Sequence, residues 1–239
     1  MKISVIMMSY LGHYPGARSQ PIPKFNRAIQ SFVNQTFKDC ELIIVSDGCE
    51  ITNKEYEDNW ADHQNITLIK TEKSKDMWPG VKRQIGREKA KGEWIIYLDA
   101  DDVYTPTYLE DISKELDDKY DAIFNYGPTF GDSRVKMWKF DEIKGLKPKV
   151  GISNLTKSQI VNTERNRQNL KDDGVGTASI IHKNSIKNKW GNTNKRGEDT
   201  EFAKDMANTI SFTIIYVIGY IICHDPNFKL NQWSGHLDV

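Results

Sequence analysis

The chain has 239 residues, a length that suits one domain of mixed α/β structure. Its 33 basic residues balance its 33 acidic residues, so no overall positive field favours nucleic acid as a partner, and any anion site must be local. Three cysteines without a Cys-x-x-Cys pair indicate reduced, structural thiols in a cytosolic protein. The most apolar stretch, residues 210–223, is shorter than the roughly 20 residues that a membrane-spanning helix needs, and it favours a buried strand.

The first half of the chain alternates between strand-like and helix-like patterns. β-rich runs predict strands at 2–8, 41–46, 65–70, 94–98 and 121–126. An apolar stripe predicts a helix at 23–35, and a proline at the start and a glycine past the end predict one at 79–91. A weaker, polar helix is expected at 53–63, and another helix at 106–118. This alternation indicates a largely parallel α/β sheet with helices on both faces. In such sheets, ligands bind beyond the carboxyl ends of the strands.

The second half is less regular. Residues 127–175 are polar and lack clean periodicity, which predicts a long excursion over the surface. Farther on, the patterns predict a strand at 176–182, a helix at 198–207 and one or two strands within 211–223.

Three carboxylates follow the predicted strand at 94–98: Asp99, Asp101 and Asp102. We expect the strand to be buried and its mouth, with the carboxylates, to be open to solvent. Mg²⁺ and Mn²⁺ are usually held by one or two carboxylates together with substrate phosphates. The cluster therefore predicts a divalent-cation site, against the alternative of a polar strand end that caps the next helix.

Two other features allow more than one interpretation. Asp47 ends a predicted strand and fits either a nucleotide contact or an ordinary Asp-Gly turn. The helix start at Gly80, with Lys82 and Arg83 close behind, suits a diphosphate, but a solvated basic face gives the same pattern.

The acidic pair at 198–199 and the late histidines are also ambiguous. Asp199 fits a general base or simple helix capping. His224, which follows the last predicted strand, fits a metal ligand or a structural side chain, with His236 as a lower-ranked competitor.

Together these motifs resemble the family-2 inverting glycosyltransferases, which have the nucleotide-sugar-binding GT-A fold. Four segments carry the resemblance, in the family's order: ISVIMMSY, SFVNQTFKDCELIIVSDG, GVKRQIGREKAKGEWIIYLDADD and GEDTEFA. The resemblance is dense over residues 1–125 and sparse over 176–226. It implies a single GT-A domain over 1–239, a Rossmann-like sandwich with a mixed, mostly parallel sheet. Its nucleotide-sugar-binding half would cover about 1–125 and its acceptor-binding half about 126–239.

The resemblance also implies a role for each matched residue. Nucleotide-sugar contacts would come from Ser9, Tyr10 (uracil pocket), Asp47 (base or ribose), Gly80, Arg83 (phosphates), Asp99 (ribose) and Asp101. The metal would be held by Asp101, with Asp102 assisting and His224 as an extra ligand, and Asp199 would be the general base.

This sequence departs from the family pattern at several positions. Ser46 and Cys49 replace an Asp and a Ser of the usual signature, Gln84 stands where Asn is usual, and the loop at 11–22 is long. These departures bear on base recognition and on the choice of donor. The Gln-x-x-Arg-Trp signature of processive synthases is absent, so we do not expect a polymerising activity.

The implied activity is a metal-dependent (Mn²⁺ or Mg²⁺) inverting transfer of a sugar from a nucleotide-diphospho-sugar, with a UDP-sugar as the expected donor. The acceptor would be a hydroxyl of a glycan or a lipid-linked molecule, in cell-surface polysaccharide synthesis. The enzyme would be cytoplasmic, and a lipid-linked acceptor would bring it to the inner face of the membrane as a peripheral protein. Two alternatives stay open: a haloacid-dehalogenase-type phosphohydrolase with Asp99 as nucleophile, and a non-catalytic module that binds a nucleotide or a glycan.

Overall fold

The computed structural model describes residues 2–14, 17, 19–74, 80–125, 127–130, 176–191, 197–223 and 227. In chain order the strands are β1 (Ile3–Ser9), β2 (Cys40–Asp47), β3 (Ile66–Thr71), β4 (Trp94–Tyr97), β5 (Val103–Tyr104), β6 (Ala122–Asn125), β7 (Thr129–Phe130), β8 (Ile180–Lys183), β9 (Phe212–Ile215) and β10 (Tyr220–Ile222). The helices are α1 (Pro21–Val33), α2 (Glu50–Asn59), α3 (Gly80–Lys89), α4 (Tyr108–Glu115) and α5 (Glu198–Thr209). The surface excursion expected over 127–175 falls outside the described residues, apart from 127–130.

Seven strands form one sheet in the order β3-β2-β1-β4-β8-β6-β9. β8 runs antiparallel to both of its neighbours, and the other adjacent pairs are parallel. β1, β2 and β4 are nearly continuous buried runs, as strands covered on both faces require. The predicted mixed, mostly parallel sheet is confirmed.

Helices cover both faces of this sheet. α1 and α4 contribute Phe32 and Ile112 to the core on one face, whereas α5 contributes Met206 to a second core on the other. α3 packs closely against β1 and β2: a Cβ added at Gly86 would lie 2.7 Å from Ile6 Cγ2. The close approach of α3 brings its first turn to the carboxyl end of these strands.

Three strands form a second, small sheet in the order β5-β10-β7. The apolar stretch 210–223 supplies both sheets, since β9 ends the large one and β10 is the centre of the small one. Within the described residues, no helix combines the length and the apolar content needed to cross a membrane. The two-residue β5 is not predicted by the sequence, and the strand expected at 176–182 begins later, after the 3₁₀ turn Thr177–Ser179.

The large sheet reverses its direction of growth at β1. From β1 the chain adds β2 and then β3 on one side, and it afterwards adds β4 on the other side of β1. At such a switch point the loops after neighbouring strands separate and leave a crevice where ligands bind. The residues that follow β1, β2 and β4 therefore lie around one crevice.

Candidate active site

The carboxylates that follow β4 differ in their exposure. The Asp99 side chain is 40% exposed, whereas Asp102 is only 3% exposed. Asp102 Oδ2 accepts the Tyr220 hydroxyl at 2.9 Å, and its Oδ1 accepts the Cys223 N–H at 2.9 Å. The expectation of an open cluster is therefore wrong for Asp102, because partners 118 and 121 residues downstream enclose it.

The crowding of these carboxylates alters their affinity for protons. Desolvation, with the charges of Asp101 and Asp99, raises the pKa of Asp102 well above its ordinary value. Desolvation also raises the pKa of Asp99; Arg83 opposes this rise, while the charges of Asp101 and Asp199 add to it. Asp199 thus lies within electrostatic reach of Asp99, so β4 and α5 contribute to one site.

Arg83, in the first turn of α3, is the cation of this site. Its guanidinium forms an ion pair with Glu198 Oε1 and a longer one with Asp99 Oδ1, at 3.4 Å. The guanidinium also lies over the indole of Trp190, 5.0 Å from the ring centroid. Burial alone would lower the pKa of Arg83, but the charges of Asp99, Glu198 and Asp199 outweigh it and raise the pKa. Arg83 therefore stays charged and holds three acidic side chains around it.

The amino end of α3 is occupied by protein groups. The Gly80 N–H, which we expected to face a diphosphate, donates to Glu198 Oε2 at 2.8 Å. Lys82 and Arg83 are 6% and 7% exposed, so the alternative of a solvated basic face is wrong. The basic residues are buried because acidic partners from other elements compensate their charges.

Asp47, at the end of β2, lies in a similar internal network. Its Oδ1 accepts the Ser74 N–H at 2.7 Å and is 3.0 Å from Lys82 Nζ. Gly48 follows with φ +60°, a left-handed conformation that favours glycine and is typical of the predicted Asp-Gly turn. A contact from Asp47 to a base or a ribose stays a prediction.

The residues at the end of β1 and just after it lie on the same side of the crevice as Asp47. Ser9 is buried, and its hydroxyl is 3.1 Å from that of Thr52. The Tyr10 hydroxyl accepts Lys73 Nζ at 2.7 Å, and the same ammonium lies 4.6 Å from the Tyr10 ring centroid. The resulting cation-and-ring arrangement presents a half-buried aromatic face, and the uracil pocket assigned to Tyr10 stays a prediction.

The two acidic residues at the start of α5 have different hydrogen-bond partners. The helix begins after Gly197, which has φ +98° and, as the N-cap residue, contributes no side-chain cap. Glu198 directs its carboxylate to Gly80 and Arg83, so it caps α3 instead of its own helix. Asp199 Oδ1 accepts the Thr200 N–H at 2.8 Å. The structure thus joins Asp199, Arg83, Asp99 and the first turn of α3, as a shared site requires.

The match to a family model decides to which group this chain belongs. The model is that of Glycosyl transferase family 2, and it matches residues 20–189. The chain belongs to glycosyltransferase family 2. A relative of this family 2 chain, the putative glycosyltransferase EpsH of Bacillus subtilis, is 30% identical over 110 residues, or 46% of this chain and 31% of that protein. This chain therefore spans about a third of EpsH.

Two solved structures share the fold of this family 2 chain. S. aureus TarS 1-349 in complex with UDP-GlcNAc gives a TM-score of 0.65 at 14% identity, covering 100% of this chain and 62% of that one. Mannosyltransferase PcManGT from Pyrobaculum calidifontis, in complex with GDP-Man and Mn²⁺, gives 0.56 at 10% identity, with 92% and 56% covered. The similarity confirms the predicted GT-A fold, and at these identities it carries no further assignment.

The sequence gives no signal for one residue of this family 2 site, and for two others it does not reveal the partner. Tyr220 lies in an apolar run that reads as core, and nothing marks its hydroxyl as a partner of the carboxylates. Lys82 stands beside Arg83 but faces β2 and not β4, which only the helix placement reveals. Glu198 stands directly before the predicted base, and its negative charge is a sequence signal that could have identified it as a partner of the basic start of α3.

Proposed function

We propose that this chain is a metal-dependent, inverting glycosyltransferase that moves a sugar from a nucleotide-diphospho-sugar to a hydroxyl of a glycan or lipid-linked acceptor. The observation that carries the proposal is the convergence of Asp99, Glu198 and Asp199 around buried Arg83 at the switch point of the sheet, with Asp101 within electrostatic reach of Asp99. A UDP-sugar is the expected donor, and the complex of TarS with UDP-GlcNAc supports it. We place the activity on the cytoplasmic side, in cell-surface polysaccharide synthesis.

The two sides of the crevice divide the donor between them. Ser9, Tyr10 and Asp47, at the carboxyl ends of β1 and β2, would contact the nucleoside. Asp99 and Asp101, after β4, would meet the ribose and the diphosphate end. The Gly80 N–H and the Arg83 guanidinium already donate hydrogen bonds to Glu198. They would therefore either hold the acidic side chains in place or exchange Glu198 for the donor phosphates when the donor binds.

The carboxylates of this site suit a hard divalent cation, although a complete ligand set is not preformed. Among the described residues no group of three or more His, Cys, Asp or Glu side chains is placed to hold a metal ion. One or two carboxylates plus substrate phosphates are the usual ligands of Mg²⁺ or Mn²⁺. Asp101 and the partly exposed Asp99 would provide the carboxylates, and the donor would provide the phosphates. Both oxygens of Asp102 already accept hydrogen bonds from the protein. His224 lies outside the described residues and stays a predicted ligand.

A bound Mn²⁺ or Mg²⁺ would supply Lewis-acid stabilisation of the negative charge on the departing diphosphate. PcManGT, which shares the fold, was solved with GDP-Man and Mn²⁺. Asp99 and Asp101 would hold this end of the donor, and Asp199 at the start of α5 lies within electrostatic reach of Asp99.

Asp199 is the proposed general base. Its carboxylate takes the proton of the acceptor hydroxyl as that oxygen attacks the anomeric carbon. The new carbon–oxygen bond forms while the bond from the anomeric carbon to the diphosphate oxygen breaks, and the nucleoside diphosphate leaves. A single displacement of this kind inverts the configuration at the anomeric carbon.

The test is a transfer assay with UDP-, GDP- and TDP-sugars, Mn²⁺ and a panel of glycan and lipid-linked acceptors, with the anomeric configuration of the product read by NMR. We expect an inverted product. Asp199→Asn should lower turnover by at least about 100-fold, the usual contribution of general-base catalysis, and keep donor binding. Glu201→Gln removes an exposed acid from the same helical turn and should keep the wild-type rate.

Three outcomes would contradict this proposal. A near-wild-type rate for Asp199→Asn would refute the base assignment. Release of inorganic phosphate through a phospho-Asp99 intermediate would favour the phosphohydrolase alternative, for which the family match gives no support. Nucleotide binding without transfer to any acceptor of the panel would favour a non-catalytic binding module.

A further inference from the structure

The turn formed by residues 99–102, here called the carboxylate turn, is fastened to β10 through the hydroxyl of Tyr220. That oxygen accepts the Asp99 N–H at 3.0 Å, and its proton goes to Asp102 Oδ2 at 2.9 Å. The other oxygen of the Asp102 carboxylate accepts the Cys223 N–H, just after β10. One hydroxyl thus connects both ends of the turn to the small sheet.

A second side chain makes an independent bridge between the same two segments. One guanidinium nitrogen of Arg27, on α1, donates to the Asp101 carbonyl at 3.2 Å and to the Cys223 carbonyl at 3.0 Å. The carboxylate turn is therefore held to β10 and to the residue after it at three positions, through its backbone at Asp99 and Asp101 and through the side chain of Asp102.

Tyr220 itself has little freedom to move. It is fully buried, and its ring packs edge-on against Tyr104 and Tyr108, with centroid distances of 5.5 and 6.3 Å. Gly219, directly before it, has φ +139°, and a Cβ there would meet Thr105 Oγ1 at 2.5 Å. This packing fixes the position of the Tyr220 hydroxyl.

We propose that Tyr220 is a positioning residue for glycosyl transfer, whose hydroxyl fixes the carboxylate turn so that Asp99 and Asp101 face the donor. Asp102 then belongs to the same clamp and is not a metal ligand. The inference rests on the proposed function for its catalytic consequence, but the clamp itself can be tested without any ligand.

The first arm measures amide hydrogen exchange on the ligand-free protein. Tyr220→Phe removes the acceptor of the Asp99 N–H, so exchange at Asp99 should accelerate by roughly tenfold or more, as expected for one lost buried hydrogen bond. Tyr108→Phe is the matched control. It also deletes a buried hydroxyl from this aromatic cluster, but that hydroxyl accepts its hydrogen bond from Asn125 and not from the carboxylate turn. Equal exchange at Asp99 in Tyr220→Phe and wild type would overturn the clamp.

The second arm measures UDP binding with and without Mn²⁺ by calorimetry. Tyr220→Phe should weaken the Mn²⁺-dependent binding by roughly tenfold, whereas Tyr108→Phe should not change it. Asp102→Asn loses the acceptor of the Tyr220 proton, but its amide oxygen can still accept the Cys223 N–H, and the Tyr220 oxygen still accepts the Asp99 N–H. We therefore expect Asp102→Asn to stay within about threefold of wild type and Asp101→Asn to lose the Mn²⁺ dependence.

The two arms separate the possible failures. If Asp102→Asn loses the Mn²⁺ dependence as completely as Asp101→Asn, Asp102 is a ligand and the inference is overturned. If wild-type protein binds no UDP with Mn²⁺ but exchange at Asp99 accelerates in Tyr220→Phe, the proposed donor fails and the clamp stands.

Discussion

Replacing Arg83 by Met should test the electrostatic centre of the site. Arg83 and Glu198 have side chains only 9% and 6% exposed, so their ion pair is shielded from water. Removing one partner of a buried pair costs about 3–5 kcal/mol, because the other charge stays buried without compensation. Burial already raises the pKa of Glu198, and Arg83 opposes this rise. Without Arg83 the pKa of Glu198 rises further.

The rise in the pKa of Glu198 gives the loss a definite pH dependence. An acid whose folded-state pKa lies above its unfolded-state value takes up a proton on folding, so its penalty is absent at low pH and grows as pH increases. Arg83→Met should therefore be more destabilised at pH 8 than at pH 5. Urea denaturation at the two pH values measures the difference.

A double variant and an exposed pair complete this experiment. Arg83→Met with Glu198→Gln removes both charges and should recover most of the lost stability, since the buried unpaired carboxylate is gone. Lys114→Met breaks surface pairs with Glu110 and Asp111, and it should cost far less because the Lys114 side chain is 59% exposed and water screens its charge. If Arg83→Met costs no more than Lys114→Met, or if the double variant is as unstable as the single one, the account of a buried charge centre is wrong.

Two further substitutions test the packing behind the site. His182 is buried with Nε2 2.7 Å from the Tyr97 hydroxyl, and burial lowers its pKa to about 3. Because the unfolded chain binds a proton at this histidine below about pH 6.5 and the folded protein does not, the free energy of unfolding decreases as pH falls from 6.5 towards 3, by up to about 1.4 kcal/mol per pH unit. His182→Gln should lack this acid-dependent slope in denaturation experiments, and an unchanged slope would refute the assignment. Gly86→Ala should destabilise by about 1–3 kcal/mol, because its Cβ would lie 2.7 Å from Ile6 Cγ2 and 3.0 Å from Val45 Cγ2; a stabilised variant would show that α3 can shift outward.

The central strands and their helices could be predicted because their signals are local. β2 and β4 are apolar runs, and a proline before α3 and Gly92 after it mark the ends of that helix, so residue order alone places Asp47, Arg83 and Asp99 at the mouth of one sheet. The GT-A fold then follows from the alternation of strands and helices, together with the motifs at the strand ends.

The charge partners could not be predicted, since they depend on contacts between residues far apart in the chain. Asp102 reads as one more acid in an open cluster, and its burial is set by Tyr220 and Cys223, which reach it only when β10 pairs with β5. β5 itself has two residues, too few to show a period. Likewise, Glu198 lies 115 residues from Arg83, so the burial of that basic residue is invisible in its own helix.

The central claim is that the mouth of β1, β2 and β4 binds a nucleotide-diphospho-sugar through Asp99 and Asp101. Calorimetric titration of a UDP-sugar into wild type and Asp101→Asn, each with and without Mn²⁺, tests it most directly. We predict binding that Mn²⁺ strengthens in wild type, and loss of this strengthening in Asp101→Asn. Binding of equal affinity in all four titrations would contradict the assignment of the site.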